Sequence, residues 1–335
     1  MFEVAKHDAA EHSVTFATVT GRDGKPHVKG GWQGGRGWQV NSSAINSTAS
    51  DPHDYLLASK WMIENVIEAL DAPGEYFFDS SSQKLYVFPN ATQSDNFPPP
   101  QGTFVVIQLE TLISINSTMA SPAKNISITG LNFRDAADVV LEPWGVPSGG
   151  DWGLYRGGAV FIEGCEGCRV THSLFERIDG NGIFVSGYNR HVQLTDNEFA
   201  WIGLSAMAAW GYTNEDDGTD GQQPRFTELS RNYVREIGLI EKQSSMWFQA
   251  KACQTFIQDN IAFNGPRAGI NFNDGFGGGT EVVDNLIFNQ VCFFDRLQCC
   301  CNKKTTMFIT KLFGWYSAVK VETTAQSIAG TVMPT

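Results

Sequence analysis

The sequence predicts an all-β protein whose centre, residues 124 to 291, is a right-handed parallel β-helix. The first sign is a repeat: polar residues lead into apolar runs at Ser173-Leu-Phe, Asn197-Glu-Phe, Asn232-Tyr-Val, Asn260-Ile-Ala and Asn285-Leu-Ile, with spacings of 24, 35, 28 and 25 residues. A period near 24 suits one solenoid coil, and an inserted acidic loop, Asn214 to Gln223, accounts for the long interval. The second sign is another phase of the same repeat, which aligns Gly182 to Ser186, Ala206 to Trp210, Ser245 to Gln249 and Gly269 to Asn273 without gaps. The third is composition: 34 Gly and 23 Phe fit short strands, tight turns and aromatic packing better than long amphipathic helices.

Because side chains alternate along a strand, the aligned segments send Ile183/Val185, Met207/Ala209, Met246/Phe248 and Ile270/Phe272 to one face. That face is apolar and is expected to be the interior. Phe184/Ser186, Ala208/Trp210, Trp247/Gln249 and Asn271/Asn273 are then expected outside, where indoles stack on sugar rings and amides meet hydroxyls. The alternatives are that both tryptophans pack beneath the 214 to 223 insertion, and that the outward asparagines form a stacking ladder.

Residues 1 to 123 are expected to be a β-rich N-terminal region. Glu75 to Phe88 reads as two aromatic, β-prone runs around a polar turn, hence a hairpin. A polar, Pro-rich stretch, 93 to 103, reads as a loop or linker. Residues 292 to 335 are a Cys-rich C-terminal tail with no coil period, expected to be poorly ordered.

A formal net charge of −12 with no Lys/Arg cluster argues against nucleic acid. No apolar run is long enough for a membrane span, and the N-terminus does not read as a signal peptide. Five sequons nevertheless fall at Asn41, Asn46, Asn90, Asn116 and Asn125, and none of the 13 later asparagines lies in one. We therefore expect a secreted, monomeric glycoprotein. Cys165-x-x-Cys168 lacks the further ligands of a zinc site and reads as a structural turn with room for a local disulfide.

Several stretches resemble right-handed β-helix, pectin-lyase-like proteins: Gly30-Gly-Trp-Gln-Gly-Gly-Arg-Gly37, Val146-Pro-Ser-Gly-Gly-Asp-Trp152, Leu174 to Gly182, Glu241-Lys-Gln-Ser-Ser245 and Gly265 to Gly279. The resemblance covers nearly all of residues 1 to 291. More distantly, the chain is similar to β-helical glycoside hydrolases, which implies an enzyme acting on complex polysaccharides. The resemblance also implies a further coil after Gln290, with Asp-His-Gly and Trp-Asp-Arg segments that the written tail lacks. Both ends are thus expected to be incomplete.

Glycoside hydrolysis uses two carboxyl groups, one protonated. Asp274, after Asn273 and before a Gly-rich turn, is the first candidate. Glu241 is the second: Lys242 beside it is expected to hold it ionised as a base or nucleophile. Asp179, in Asp-Gly-Asn-Gly, is the third, and turn capping is its alternative role. Glu241 and Asp274 are expected about one rung apart. Trp210, Tyr212, Lys242, Trp247, Gln249, Arg267, Asn271 and Asn273 are the candidate substrate-binding residues. No cofactor is expected; Ca²⁺ enters only under the rival reading of a polysaccharide lyase. A non-catalytic glycan-binding or wall protein is the other rival.

Overall fold

A computed structural model describes residues 2–20, 24–30, 63–88, 105–147, 153–215, 217–273, 277–290, 306–309 and 312–313. The chain divides into two compact units, one formed by residues 1–37 and 107–335 and the other by residues 38–106. In the smaller unit, Tyr76–Asp79 and Lys84–Val87 form the expected antiparallel hairpin, with Phe77 and Tyr86 cross-paired. Two further hairpins, Val4–Asp8 with Ser13–Phe16 and Thr18–Thr20 with Pro26–Val28, belong to the larger unit. The N-terminal region expected to run to residue 123 is therefore split between the two.

The larger unit is a parallel β-helix solenoid. Among the described residues, six coils each contribute one strand to each of three sheets. The first sheet holds Ile113–Asn116, Val160–Glu166, Ile183–Arg190, Met207–Trp210, Trp247–Ala250 and Ile270–Phe272. The second holds Ser127–Thr129, Arg169–Thr171, Gln193–Thr195, Glu228–Ser230, Phe256–Gln258 and Glu281–Val283. The third holds Asn132–Ala136, Leu174–Ile178, Glu198–Ile202, Tyr233–Ile237, Ile261–Phe263 and Asn285–Phe288. Stacking therefore starts at Ile113, ahead of the boundary drawn at 123. In the tail, Thr306–Ile309 and Leu312–Phe313 add to the third and second sheets as antiparallel strands.

One corner of the coil is the same in every turn. Between the second and third sheets a residue with left-handed backbone (Gly130, His172, Asp196, Arg231, Asp259, Asp284) makes the bend. In the last five coils it is followed by the polar residue that marks the repeat. Those residues are buried, and each Asn carbonyl accepts the backbone N–H of its counterpart one coil earlier: Ser173 to Asn197 at 3.0 Å, Asn197 to Asn232 at 3.1 Å, Asn232 to Asn260 at 2.9 Å and Asn260 to Asn285 at 3.0 Å. Their amide N–H groups donate to backbone carbonyls such as Val170 O, Leu194 O, Leu229 O and Ile257 O. A buried amide costs stability unless its donors and acceptor are met, and the repeat of coil on coil meets them.

Beside this ladder the inward residues of the third sheet stack: Phe133 on Phe175 and Phe175 on Phe199, both at 4.7 Å between ring centroids, continued by Val234, Ala262 and Ile287. The first sheet contains a register slip that the alignment by sequence missed. Ile183 pairs with Met207 as expected, but Met207 pairs with Trp247 rather than Met246, and Trp247 pairs with Ile270. The turn before the fifth coil, 238–246, is longer than its counterpart 203–206 by an odd number of residues, so the strand lies one residue out of the register aligned by sequence, and a one-residue shift exchanges its two faces. Trp247 and Gln249 thus point into the core and Phe248 and Ala250 outward, which corrects the predicted faces of Trp247, Gln249 and Phe248; Met246, just ahead of the strand, is in the core as expected. Trp247 is fully buried; its indole N–H donates to Gln249 Oε1 at 3.0 Å, and the Gln249 amide donates to Ala252 O at 2.8 Å and Thr280 Oγ1 at 3.3 Å. Cys165 and Cys168 form a disulfide across the bend that ends the second coil's first strand.

Candidate functional site

The outer face of the first sheet is not the open trough that the sequence led us to expect. Its outward residues, Phe184, Ala208, Phe248 and Ala250, form a second apolar cluster closed by Leu154, which is only 4% exposed. Leu154 is held by a two-bond bridge to Gly145, and Gly145 lies against the Trp210 ring so closely that a Cβ would sit 2.4 Å from Cη2. The guanidinium of Arg156 lies 3.9 Å from the Trp210 ring centroid and 4.4 Å from that of Tyr212. It also donates to Ser186 Oγ at 2.8 Å and to Trp210 O at 2.7 Å. Trp210 is therefore packed against Gly145 and Arg156. Neither Leu154 nor Arg156 was singled out in the sequence, because a lone Leu and Arg in a coil-length insertion carry no periodic signal.

The predicted binding residues scatter accordingly. Trp247 and Gln249 are in the core, which removes both from any ligand surface. Asn271 does face outward in register with Phe248, yet it is buried, as is Asn273 just past the strand. Tyr212 is 42% exposed at the end of the strand Met207–Trp210, with its hydroxyl 3.5 Å from Glu163 Oε2. Arg267 sits in the turn before Ile270–Phe272, at the opposite end of the sheet. Asp274 lies outside the described residues, as do Asn41, Asn46 and Asn90. The expected spacing of Glu241 and Asp274 therefore also lies outside the described residues.

Asp179 and Glu241, by contrast, share a corner, the one joining the third sheet to the first. Gly203 stands between them. Its carbonyl accepts the N–H groups of Ile240 at 3.0 Å and Glu241 at 3.1 Å, and on its other side a Cβ would lie 2.2 Å from Asp179 O. No side chain fits at that position, so nothing at Gly203 intrudes between the two carboxyl-bearing turns. Burial pushes the Glu241 carboxyl above its ordinary value, against the opposing effect of the Gln243 N–H that it accepts at 3.0 Å. The expected influence of Lys242 is overturned: its ammonium donates to Gly238 O and Leu239 O, both at 2.8 Å, and its pull on Glu241 is the weakest of the effects acting there. Asp179 is likewise raised, first by burial and then by the negative charges of Asp138 and Asp135.

The same corner has an aromatic wall. Gly180 packs against Val139, whose carbonyl accepts the Trp144 indole N–H at 2.9 Å. The Trp144 and Tyr155 rings are 6.4 Å apart, and Asn181 holds this wall to the turn by donating to Tyr155 O at 3.1 Å and Gly157 O at 2.9 Å. The Tyr155 hydroxyl donates to Glu110 Oε2 at 2.6 Å, and burial followed by that bond raises its pKa strongly. Two carboxyl groups biased toward protonation, beside exposed or half-buried aromatics, make a place where a proton can be delivered to a bound polar molecule. Among the described residues, no group of three His, Cys, Asp or Glu is arranged to hold a metal ion. No helix among them is long and apolar enough to cross a membrane.

No family model matches this chain. No curated protein matches it either. Among solved structures, a glycoside hydrolase matches with a TM-score of 0.40 and 15% sequence identity, over 69% of this chain and 56% of that one. The chain thus spans little more than half the length of that structure, and a likeness at this level bears on no residue's role.

Proposed function

We propose that the protein is a secreted glycoside hydrolase acting on a complex polysaccharide at the corner between the third and first sheets. The observation that carries this reading is the placement of Glu241 and Asp179 on either side of Gly203, both shifted upward by burial. Glu241 is the proton donor to the leaving oxygen. Asp179, with the lower ordinary value of an aspartate, is the base that draws a proton from water. Their turns are two rungs apart, about 9.6 Å along the solenoid axis, a spacing of the order of the roughly 6.5–9.5 Å that leaves room for water in an inverting reaction. Trp144 and Tyr155 give the sugar faces to stack on.

The Cys165–Cys168 bridge and the exposure of Asn116 and Asn125 support the extracellular setting, since disulfides persist in oxidising compartments. A lyase is less well supported, because elimination from uronates calls for cations and Lys242 is committed to carbonyls. The deciding experiment is a glycan panel read for new reducing ends and for absorbance near 235 nm. Reducing ends alone, lost in Glu241→Gln and Asp179→Asn, are expected. Added absorbance would make the protein a lyase, and binding without either signal a glycan-binding protein.

A further inference from the structure

The two ends of the solenoid are finished differently. At the C-terminal end the reversed strands Thr306–Ile309 and Leu312–Phe313 close the third and second sheets. At the other end, among the described residues, no strand pairs on the outer side of Ile113–Asn116, Ser127–Thr129 or Asn132–Ala136. Such an edge offers unpaired backbone groups to any strand of another molecule. Among the described residues, the first sheet also has no strand beyond Ile270–Phe272, where Phe272 occupies an inward position yet is 41% exposed. Joining the first coil of one copy to the last coil of the next is a head-to-tail contact that never closes, so it would propagate as a filament.

The first coil carries two of the five sequons, and no later coil carries any. Asn116 and Thr118 are exposed, as are Asn125 and Ser127. Asn116 ends the edge strand, level with Glu163 of the second coil. Asn125 takes left-handed backbone, φ 55°, just before Ser127–Thr129. Both are mounted on the framework: Ser117 N donates to Glu163 O and Asn125 N to Glu166 O, each at 2.9 Å.

We propose that N-linked glycans on Asn116 and Asn125 cap this edge and keep the protein monomeric. A sugar chain is wider than the roughly 4.8 Å between rungs, so a glycan standing on the outermost rung occupies the space in which a second copy's strand would have to pair. The proposal rests on the extracellular setting and is independent of the hydrolytic reading.

The test is secretion of the full chain from a eukaryotic host, glycopeptide mass spectrometry, and light scattering over a concentration series before and after endoglycosidase trimming of the folded protein. Both sites are expected to be occupied. The mass is expected to be monomeric before trimming and to rise severalfold with concentration afterwards. Thr118→Ala combined with Ser127→Ala, which keeps both asparagines but removes the sequons, reproduces the rise. Occupancy at other sequons with Asn116 and Asn125 bare, or a trimmed protein that stays monomeric throughout, overturns the proposal. Absence of glycan from all five sequons overturns the extracellular setting as well.

Discussion

Glu241 shows how an environment can override the charge state suggested by a neighbour in sequence. Lys242 is adjacent, but its ammonium turns to two carbonyls, and burial governs the carboxyl instead. The linkage has a definite sign. A carboxyl held above its ordinary value in the folded state penalises folding as pH rises through the folded value, and the penalty vanishes below the ordinary, unfolded one. Glu241→Gln is therefore expected to raise the midpoint of urea unfolding at pH 7 while abolishing turnover, and to lose its stability advantage in acid. A variant destabilised at neutral pH would show that the carboxylate is favourably held. Activity of the native protein should likewise fall as pH climbs through the Glu241 titration, giving a basic limb to its pH profile. NMR of the first-formed sugar is expected to show inversion at the anomeric carbon.

At the scale of single elements, the strand Trp247–Ala250 is where sequence reading and structure part. Trp247→Ala is expected to cost about 3–5 kcal/mol in chemical denaturation, because it empties a filled core site and orphans the Gln249 carbonyl. A loss below about 1 kcal/mol, the ordinary range of surface changes, would return the indole to the outer face. Alternation alone could not have decided this, since both phases of Ser245-Met-Trp-Phe-Gln place a large apolar residue inward, and only the length of the preceding turn selects between them. The Asn repeat, in contrast, was legible from its spacing. Its chemistry was not, because an amide ladder and a set of surface turn residues have the same sequence. Asn232→Ala removes the acceptor of Asn197 and the two amide donations of the ladder at that rung. It should cost about 2–4 kcal/mol, one or two orphaned buried groups, whereas substitutions at the neighbouring exposed Tyr233 should cost far less.

Over the whole molecule, the coil architecture was readable because every turn repeats one pattern of burial, and a repeated pattern survives the loss of any single signal. The proposed site was only partly readable. Asp179 and Glu241 were in view as separate candidates, but their pairing depends on Gly203 and on which corner each turn occupies, and neither is a local property. The outer-face groove failed for a related reason: the segment that covers it comes from an insertion two coils away in sequence.

The three corners of the coil differ in what they tolerate. Two of them already carry excursions of unequal length, 137–159 on one side and 211–223 on the other, without disturbing the strands they connect. The third, bent by left-handed residues and tied by asparagines, keeps the same length in all six coils. That corner acts as a vertebral column. Peptides grafted at the first two should display freely from an unaltered scaffold, whereas even a single residue spliced into the third would unzip the amide column on both sides of the graft.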